Sequence, residues 1–271
     1  MGMITLKTPA QVAKMREAGR VVAAMLAACR DAARPGATTA DLDRVAAEVI
    51  RKAGATSSFL GYGAPPYPAT ICTSVNYEIV HGIPSAKRRL KEGDIVGIDA
   101  GAIVDGWHAD AAVTLPIGRI SAEAERLIRI TRQALEIAIR CARVGGHIGD
   151  IGVAVQDFVE AEGFSVVRNY VGHGIGRAMH EEPQVPNYRL VRGQPNPVIN
   201  EGLCLAIEPM VNVGRAETQT LADQWTVVTA DRSLSAHFEH TLVCTAAGPV
   251  VLTAASDEAA RAADAAVASP A

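Results

Sequence analysis

Two apolar runs face each other across the dipeptide Asp105-Gly106, and each run carries an aspartate in its middle. Asp-Gly is the preferred centre of a two-residue hairpin turn. If the strands close around it, paired positions sum to 211, so Asp99 lies opposite Ala112 and Asp110 opposite Gly101. Residues two apart on a strand share a face. Asp99 and Asp110 are then same-face diagonal neighbours, about 7–8 Å apart at the backbone. Their surroundings at positions 95–98 and 111–113 are apolar, and no Lys or Arg lies in the hairpin. A carboxylate buried there without a partner would cost several kcal/mol, which makes a cation its natural companion. Gly101 opposite Asp110 is expected to leave room for that ion. The competing reading is a pair of carboxylates on a solvated sheet face.

The elements on either side of the hairpin follow one order twice. Thr8-Pro9 reads as an N-cap followed by proline at the first helical position, with Val12, Met15, Val22, Leu26 and Cys29 recurring at helical spacing up to Pro35-Gly36. A second helix is expected from Thr39, carrying Leu42, Val45 and Val49, to Gly54, and strands at 70–75, 94–102 and 107–116. Ser121 then caps a helix bearing Leu127, Ile128, Leu135 and Ile139, and Asp150 caps another that closes at Gly163. Strands are expected at 165–171, 203–211, 225–229 and 236–244. Thr8 and Ser121 are 113 residues apart, Thr39 and Asp150 111, Gly54 and Gly163 109. The spacing predicts a duplicated helix-helix-sheet unit with a cleft where the halves meet.

Charge and composition exclude several classes of function. A net charge of −3 and a pI near 6.2, with no basic stripe, remove the electrostatic drive for nucleic-acid binding. Five scattered cysteines without a CxxC pair indicate neither a disulfide framework nor a zinc ribbon. No apolar run approaches the length of a membrane span, and the first residues lack the apolar core of a leader peptide. A cytoplasmic location is expected. Residues 254–271 form an alanine-rich tail without evident chemistry.

The second half supplies further groups, each ambiguous alone. Glu208 ends an apolar strand 109 residues after Asp99, Glu239 sits in the final strand, and His173 lies in Gly172-His173-Gly174-Ile175-Gly176. That last stretch lacks the third glycine and the helix start that phosphate binding would need.

Read together, these residues become a pattern. Val80-His81-Gly82-Ile83-Pro84, Gly97-Ile98-Asp99-Ala100-Gly101, Asp105-Gly106-Trp107-His108-Ala109-Asp110, Gly172-His173-Gly174-Ile175-Gly176, His180-Glu181-Glu182-Pro183, Ile207-Glu208-Pro209-Met210 and Ser235-Ala236-His237-Phe238-Glu239-His240-Thr241 stand in this order along the chain. In that order they resemble methionine aminopeptidases of the bacterial type I form. The resemblance extends to about residue 250. It implies an α+β pita-bread fold, a pseudo-twofold duplication around a curved antiparallel sheet. Residues 1–253 would be one catalytic domain, with halves at about 8–120 and 121–250. The family's reaction is removal of the N-terminal methionine from nascent chains by metal-activated water, with preference for a small second residue. The resemblance further implies two divalent ions (Co, Mn, Fe(II) or Zn) held by Asp99, Asp110, His173, Glu208 and Glu239, of which Asp110 and Glu239 bridge. Glu208 would be general base, His180 would polarise the scissile carbonyl, and His81 would contact the scissile amide. The methionine pocket would involve Tyr62, Tyr67, Cys72, His81, Met179, His180 and Trp225. The implied partners are N-termini of nascent polypeptides, with ribosome association in keeping and no nucleic acid or membrane, and the expected state is a monomer.

Three features depart from the family's pattern. Met179 stands where Phe is usual, the 62–68 stretch is two residues longer and lacks a His after its first Tyr, and His237 replaces a frequent Gln. The alternatives are an Xaa-Pro aminopeptidase or prolidase, a catalytically inactive pita-bread binding module and, more distantly, a mononuclear oxygenase. Prolidase-like relatives normally carry an N-terminal domain of their own, and inactive relatives have lost metal ligands.

Overall fold

A computed structural model of the chain describes residues 3–254. Helices α1 (Pro9–Ala32) and α2 (Thr39–Ala53) lead into β1 (Thr56–Ser57), β2 (Ile71–Val75), β3 (Glu78–Val80) and the long hairpin of β4 (Ile95–Val104) and β5 (Trp107–Pro116). A second pair, α3 (Ala122–Cys141) and α4 (Ile148–Ala161), leads into β6 (Ser165–Val166), β7 (Gly172–Gly174), β8 (Glu181–Val185), β9 (Cys204–Ile207) and β10 (Met210–Asn212). Strands β11 (Thr218–Thr220), β12 (Val227–Thr229), β13 (Ser235–His237), β14 (Glu239–Thr245) and β15 (Gly248–Val251) follow. Among the described residues, no helix is long and apolar enough to cross a membrane.

Local chemistry explains most boundaries. Thr8 caps α1 in a capping box with Gln11, and Ser121 caps α3. Gly54, at φ 64°, ends α2 in the left-handed conformation. One start differs from the sequence reading. The cap of α4 is His147, and Asp150 is the third residue of the helix, reaching back to the His147 amide at 2.8 Å. Asp41 does the same for Thr38 at the start of α2. With that correction the repeat becomes regular: Thr38 and His147, Asp41 and Asp150, Gly54 and Gly163 are each 109 residues apart. The offset reaches further. Thr38 bridges Arg89, and His147 bridges Val198. Gly36 donates to Leu90, and Gly145 donates to Ile199. Beyond weak residue identity, the same hydrogen bonds are made twice.

The main sheet runs β1-β4-β5-β14-β9-β7-β8, with β2 also on β4 and β15 on β14, and its pairings are antiparallel. The hairpin register is as expected, with Asp99 opposite Ala112 and Gly101 opposite Asp110. Asp105 and Gly106 both have positive φ, 50° and 73°. Expected strand 165–171 is reduced to β6, and expected strands 203–211 and 236–244 break at Glu208-Pro209 and at Phe238. Proline has no N–H for a ladder. The first break moves the chain from the main sheet into the small sheet β13-β10-β6, and the second returns it from the small sheet to the main one. The remaining small sheet is β11-β12-β3.

Alternation along the strands creates two faces. Ala100, Ala102, Ala109 and Ala111 point outward into a core with Val22, Met25 and Leu26 of α1 and Leu42 and Ala46 of α2. Leu205, Ile207 and Leu242 pack similarly against Leu127, Ile130, Ile151 and Val155 of the second helix pair. Both helix pairs thus cover one face. The opposite face is concave, and it carries the acids.

Candidate metal centre

A single rung of the sheet organises this face. Asp99 on β4 pairs with Ala112 on β5, and Ala112 pairs in turn with Glu239 on β14. Asp110, two residues before Ala112, shares its face, so three carboxylates surround one methyl group. A neighbouring rung runs from Thr241 on β14 through Ala206 on β9 to His173 on β7. Glu208 follows β9 two residues beyond Ala206. Alanine at the centre of each rung gives the long side chains space to converge. Thr241 locks β14 to β5, since its hydroxyl donates to the Asp110 carbonyl and accepts from the Asp110 amide, both at 2.8 Å.

The donors come close together. Ligand atoms of Asp110, His173 and Glu239 lie within 4.8 Å of one another. Nε2 of His173 is 3.8 Å from a Glu208 oxygen. Nδ1 of His173 donates to the Gly174 carbonyl at 2.8 Å, which leaves Nε2 as a lone-pair donor turned toward the acids. Asp99 Oδ1, Asp110 Oδ1 and Glu239 Oε1 are buried without a hydrogen-bond partner. Buried anionic oxygens in that condition fit a divalent cation, and oxygen donors with one imidazole suit a first-row metal. The space is not where the sequence suggested. A Cβ on Gly101 would meet Phe59 and Ser58 at 2.8 Å, so this glycine admits the 58–59 segment rather than an ion.

Electrostatics in the metal-free chain tell the same story. Burial raises the carboxyls of Asp110, Glu208 and Glu239 well above their ordinary range, and the neighbouring acids add to the shift. Burial pushes Asp99 up to about 7. Burial also depresses His173 to about 3, His237 to about 3 and His81 to about 4, with nearby imidazoles adding to each. These imidazoles are neutral at pH 7 and free to donate a lone pair or a ring N–H.

The remaining predicted residues, His81, His180 and the pocket group, line the same cavity as the acids. Tyr67, Cys72 and Met179 are buried together with Phe59, and Trp225 packs against them. Trp225 meets Tyr67 edge-on at 5.1 Å and His81 at 6.0 Å. Gly63, at φ 76°, presses the 62–68 stretch onto the Trp225 ring, where a Cβ would come within 2.6 Å. His81 sits at φ 59°, an uncommon conformation for a non-glycine residue. It is held there by Gly82, whose carbonyl accepts from the Thr73 amide at 2.8 Å and the Tyr67 hydroxyl at 2.9 Å. His180 is exposed at the mouth, its Nδ1 2.6 Å from the Tyr62 hydroxyl and its ring 4.2 Å from that of His173. Phe59 was missed by sequence reasoning, although a glycine inside a strand is a signal of close approach by another segment. His237, singled out as a departure from the family's pattern, has its Nε2 3.7 Å from Glu208 and 3.9 Å from Glu239.

Comparison with known proteins agrees with this geometry. The model of metallopeptidase family M24 matches residues 13–246. A methionine aminopeptidase of Clostridium acetobutylicum is 48% identical over 253 residues, covering 93% of this chain and 99% of the relative. The crystal structure of methionine aminopeptidase from Thermotoga maritima superposes with a TM-score of 0.89 at 43% identity, covering 93% of this chain and 99% of that one. An Xaa-Pro dipeptidase from Bacillus anthracis reaches a TM-score of 0.74 at 21% identity, with 92% of this chain covering 61% of that one, a likeness of fold alone. The chain belongs to metallopeptidase family M24, within its type I methionine aminopeptidases.

Proposed function

We propose that this chain removes the N-terminal methionine from nascent proteins and peptides, preferring a small second residue, with Asp99, Asp110, His173, Glu208 and Glu239 holding two divalent ions. Asp110 and Glu239 would be shared between the ions, Asp99 would complete one, and His173 with Glu208 the other. The observation that carries this reading is the set of buried carboxylate oxygens without a protein partner beside an inward-facing imidazole. Co, Mn, Fe(II) or Zn suits such donors. When bound, an ion pair supplies Lewis acidity and a water acidic enough to be a nucleophile near neutral pH.

The chain's own groups do the rest. Glu208 accepts the proton of the attacking water on a carboxylate oxygen. His180, steadied by Tyr62, donates a ring N–H to the scissile carbonyl oxygen and stabilises the charge that develops there. His81, neutral at pH 7, meets the scissile amide and relays a proton to the leaving amine. The methionine side chain enters between Tyr67, Cys72, Met179 and Trp225, where a thioether gains sulfur–aromatic contacts. The substrate's free α-amino group, in its neutral form, would approach one of the ions at the closed end, which restricts the reaction to chain ends. Tyr62 and His180 crowd the mouth, where the second residue must pass. The same reading treats residues 1–253 as one catalytic unit, because its ligands come from both halves. It places the enzyme in the cytoplasm, as a monomer working on chains as they leave the ribosome.

Turnover of Met-Ala-Ser against Xaa-Pro peptides by the Mn-loaded chain tests the proposal. Release of methionine from the first is expected. Preference for the second would replace the reading with a prolidase-like one, and a chain that neither binds metal nor hydrolyses either peptide would be a binding module.

A further inference from the structure

Met179 and His180 ride on the turn between β7 and β8, and that turn is held from an unexpected direction. Lys7, in the segment before α1, is nearly inaccessible: its side chain is 3% exposed. Its ammonium lies 2.6 Å from Oε2 of Glu181, the residue directly after His180. A buried lysine needs a paired anion. Lys7 Nζ also donates to the Thr5 carbonyl at 3.1 Å and to the Thr5 hydroxyl at 2.9 Å, and the Thr5 hydroxyl donates to Glu181 Oε2 at 2.6 Å. The other Glu181 oxygen accepts from the backbone amides of Arg177 and Ala178 at 2.8 and 3.3 Å. One carboxylate therefore joins the N-terminal segment to the backbone of the turn that presents Met179 and His180.

The fold makes room for this contact at two glycines. A Cβ on Gly176 would meet Lys7 Cε at 2.5 Å and Glu181 Oε1 at 2.6 Å. A Cβ on Gly202, which has φ 81°, would meet the Lys7 carbonyl oxygen at 2.5 Å. The Lys7 amide donates to the Gly202 carbonyl at 2.7 Å, which ties the segment to the start of β9. Opposite Lys7, the Arg177 guanidinium lies 4.6 Å from the centre of the Trp107 ring and bonds the hairpin carbonyls of Asp105 and Gly106. The turn is thus clamped between the hairpin tip and the N-terminal segment.

We propose that Lys7, acting through Glu181, is a positioning residue for the reaction: the ion pair sets the turn so that His180 reaches the scissile carbonyl and Met179 closes the side-chain pocket. This inference rests on the function proposed above. Removing the ammonium leaves Glu181 with the Thr5 hydroxyl and two backbone amides, so the fold should persist while the turn loses its fixed height above the acids.

The test compares Lys7→Met and Glu181→Gln with wild type and with Arg189→Met, which breaks an exposed ion pair to Asp157. Steady-state cleavage of Met-Ala-Ser by Mn-loaded protein is read together with Mn stoichiometry by calorimetry and with imidazole NMR signals of the Zn-loaded protein, Zn being diamagnetic. Both site variants are expected to bind Mn with wild-type stoichiometry and to lose about tenfold or more in kcat/KM, chiefly in kcat, because small misplacements of a group acting on the carbonyl are costly. The His180 ring signals should shift or broaden while those of His240, away from the turn, stay unchanged. Arg189→Met should behave as wild type. A wild-type chain that fails to release methionine would overturn the function and not this inference. If wild type cleaves and both variants stay within about threefold of it, or lose activity only in step with thermal unfolding, the positioning role is wrong.

Discussion

The closed end of the cavity and its mouth are built from different materials. The acids and His173 stand on paired strands or directly follow one, with Ala112 and Ala206 as spacers and Thr241 as a cross-link. The mouth is built from connecting segments: Tyr62 in the 62–68 stretch, Met179 and His180 in the turn after β7, and Trp225 before β12. Strand pairing fixes a Cα position by hydrogen bonds on both sides, whereas a connecting segment is fixed by a few specific contacts. On the proposed reading the metal-holding groups sit on the rigid part, and the methionine pocket, together with His180, on the part that can vary. The three departures from the family's pattern agree with this division in two cases. Met179 and the longer 62–68 stretch lie at the mouth, while His237 lies among the acids.

The largest effect should come from breaking the closed end. Asp110→Ala or Glu239→Ala is expected to abolish binding of an ion pair and turnover together, with circular dichroism unchanged. Retained activity in either would refute the shared-ligand roles. Next, at the mouth, His180→Ala should lower kcat by about 10²–10³-fold, the usual cost of a lost oxyanion donor, with metal stoichiometry intact. If metal binding fell as well, the two ends would not be separable.

Acidity separates the carboxyls of the site from its imidazoles. A carboxyl raised by burial keeps its proton in the folded chain where the unfolded chain has released it. Its contribution is present below the ordinary carboxylate pKa and is lost as pH rises, for Asp99 between about 4 and about 7. His81 and His173, depressed to about 4 and 3, act oppositely and withdraw stability as pH falls below about 6.5. Metal must displace the carboxyl protons, so Mn affinity is expected to weaken by about tenfold or more from pH 8 to pH 6 in calorimetric titrations, with proton release. A pH-independent affinity would mean that the acids are already ionised. For the metal-free chain, Asp110→Asn should melt higher than wild type, by a margin that widens as pH rises.

The smallest effect expected is at the mouth. Gly63→Ala places a methyl against Trp225 at a φ that alanine resists, costing about 1 kcal/mol. It should appear as a several-fold rise in KM for methionine peptides with kcat nearly constant. An unchanged KM would detach the 62–68 stretch from the pocket.

Legibility in the sequence divides along the same line. The hairpin could be read to the residue, because Asp105-Gly106 fixes the turn and the turn fixes the register. The caps at Thr8 and Ser121 were visible in the side chains themselves. Asp150 was misread as a cap because the true cap, His147, is a residue that seldom fills that role, and the aspartate's return bond is what marks the start. The breaks at Pro209 and Phe238 depend on which sheet takes over the chain, a tertiary fact that alternation cannot carry. Gly101 was assigned to an ion when its space belongs to Phe59, since a glycine reports a close neighbour without saying which. The convergence of His81, His180 and the pocket residues on the acids came through the family resemblance, because spacing alone does not connect loops to strands.

Anomalous diffraction from crystals of the Mn-loaded chain reaches the central claim most directly. Two peaks about 3.5–4 Å apart are expected, enclosed by Asp99, Asp110, His173, Glu208 and Glu239 with Asp110 and Glu239 reaching both. Peaks elsewhere, or five side chains that close on each other with no ion between them, would contradict it.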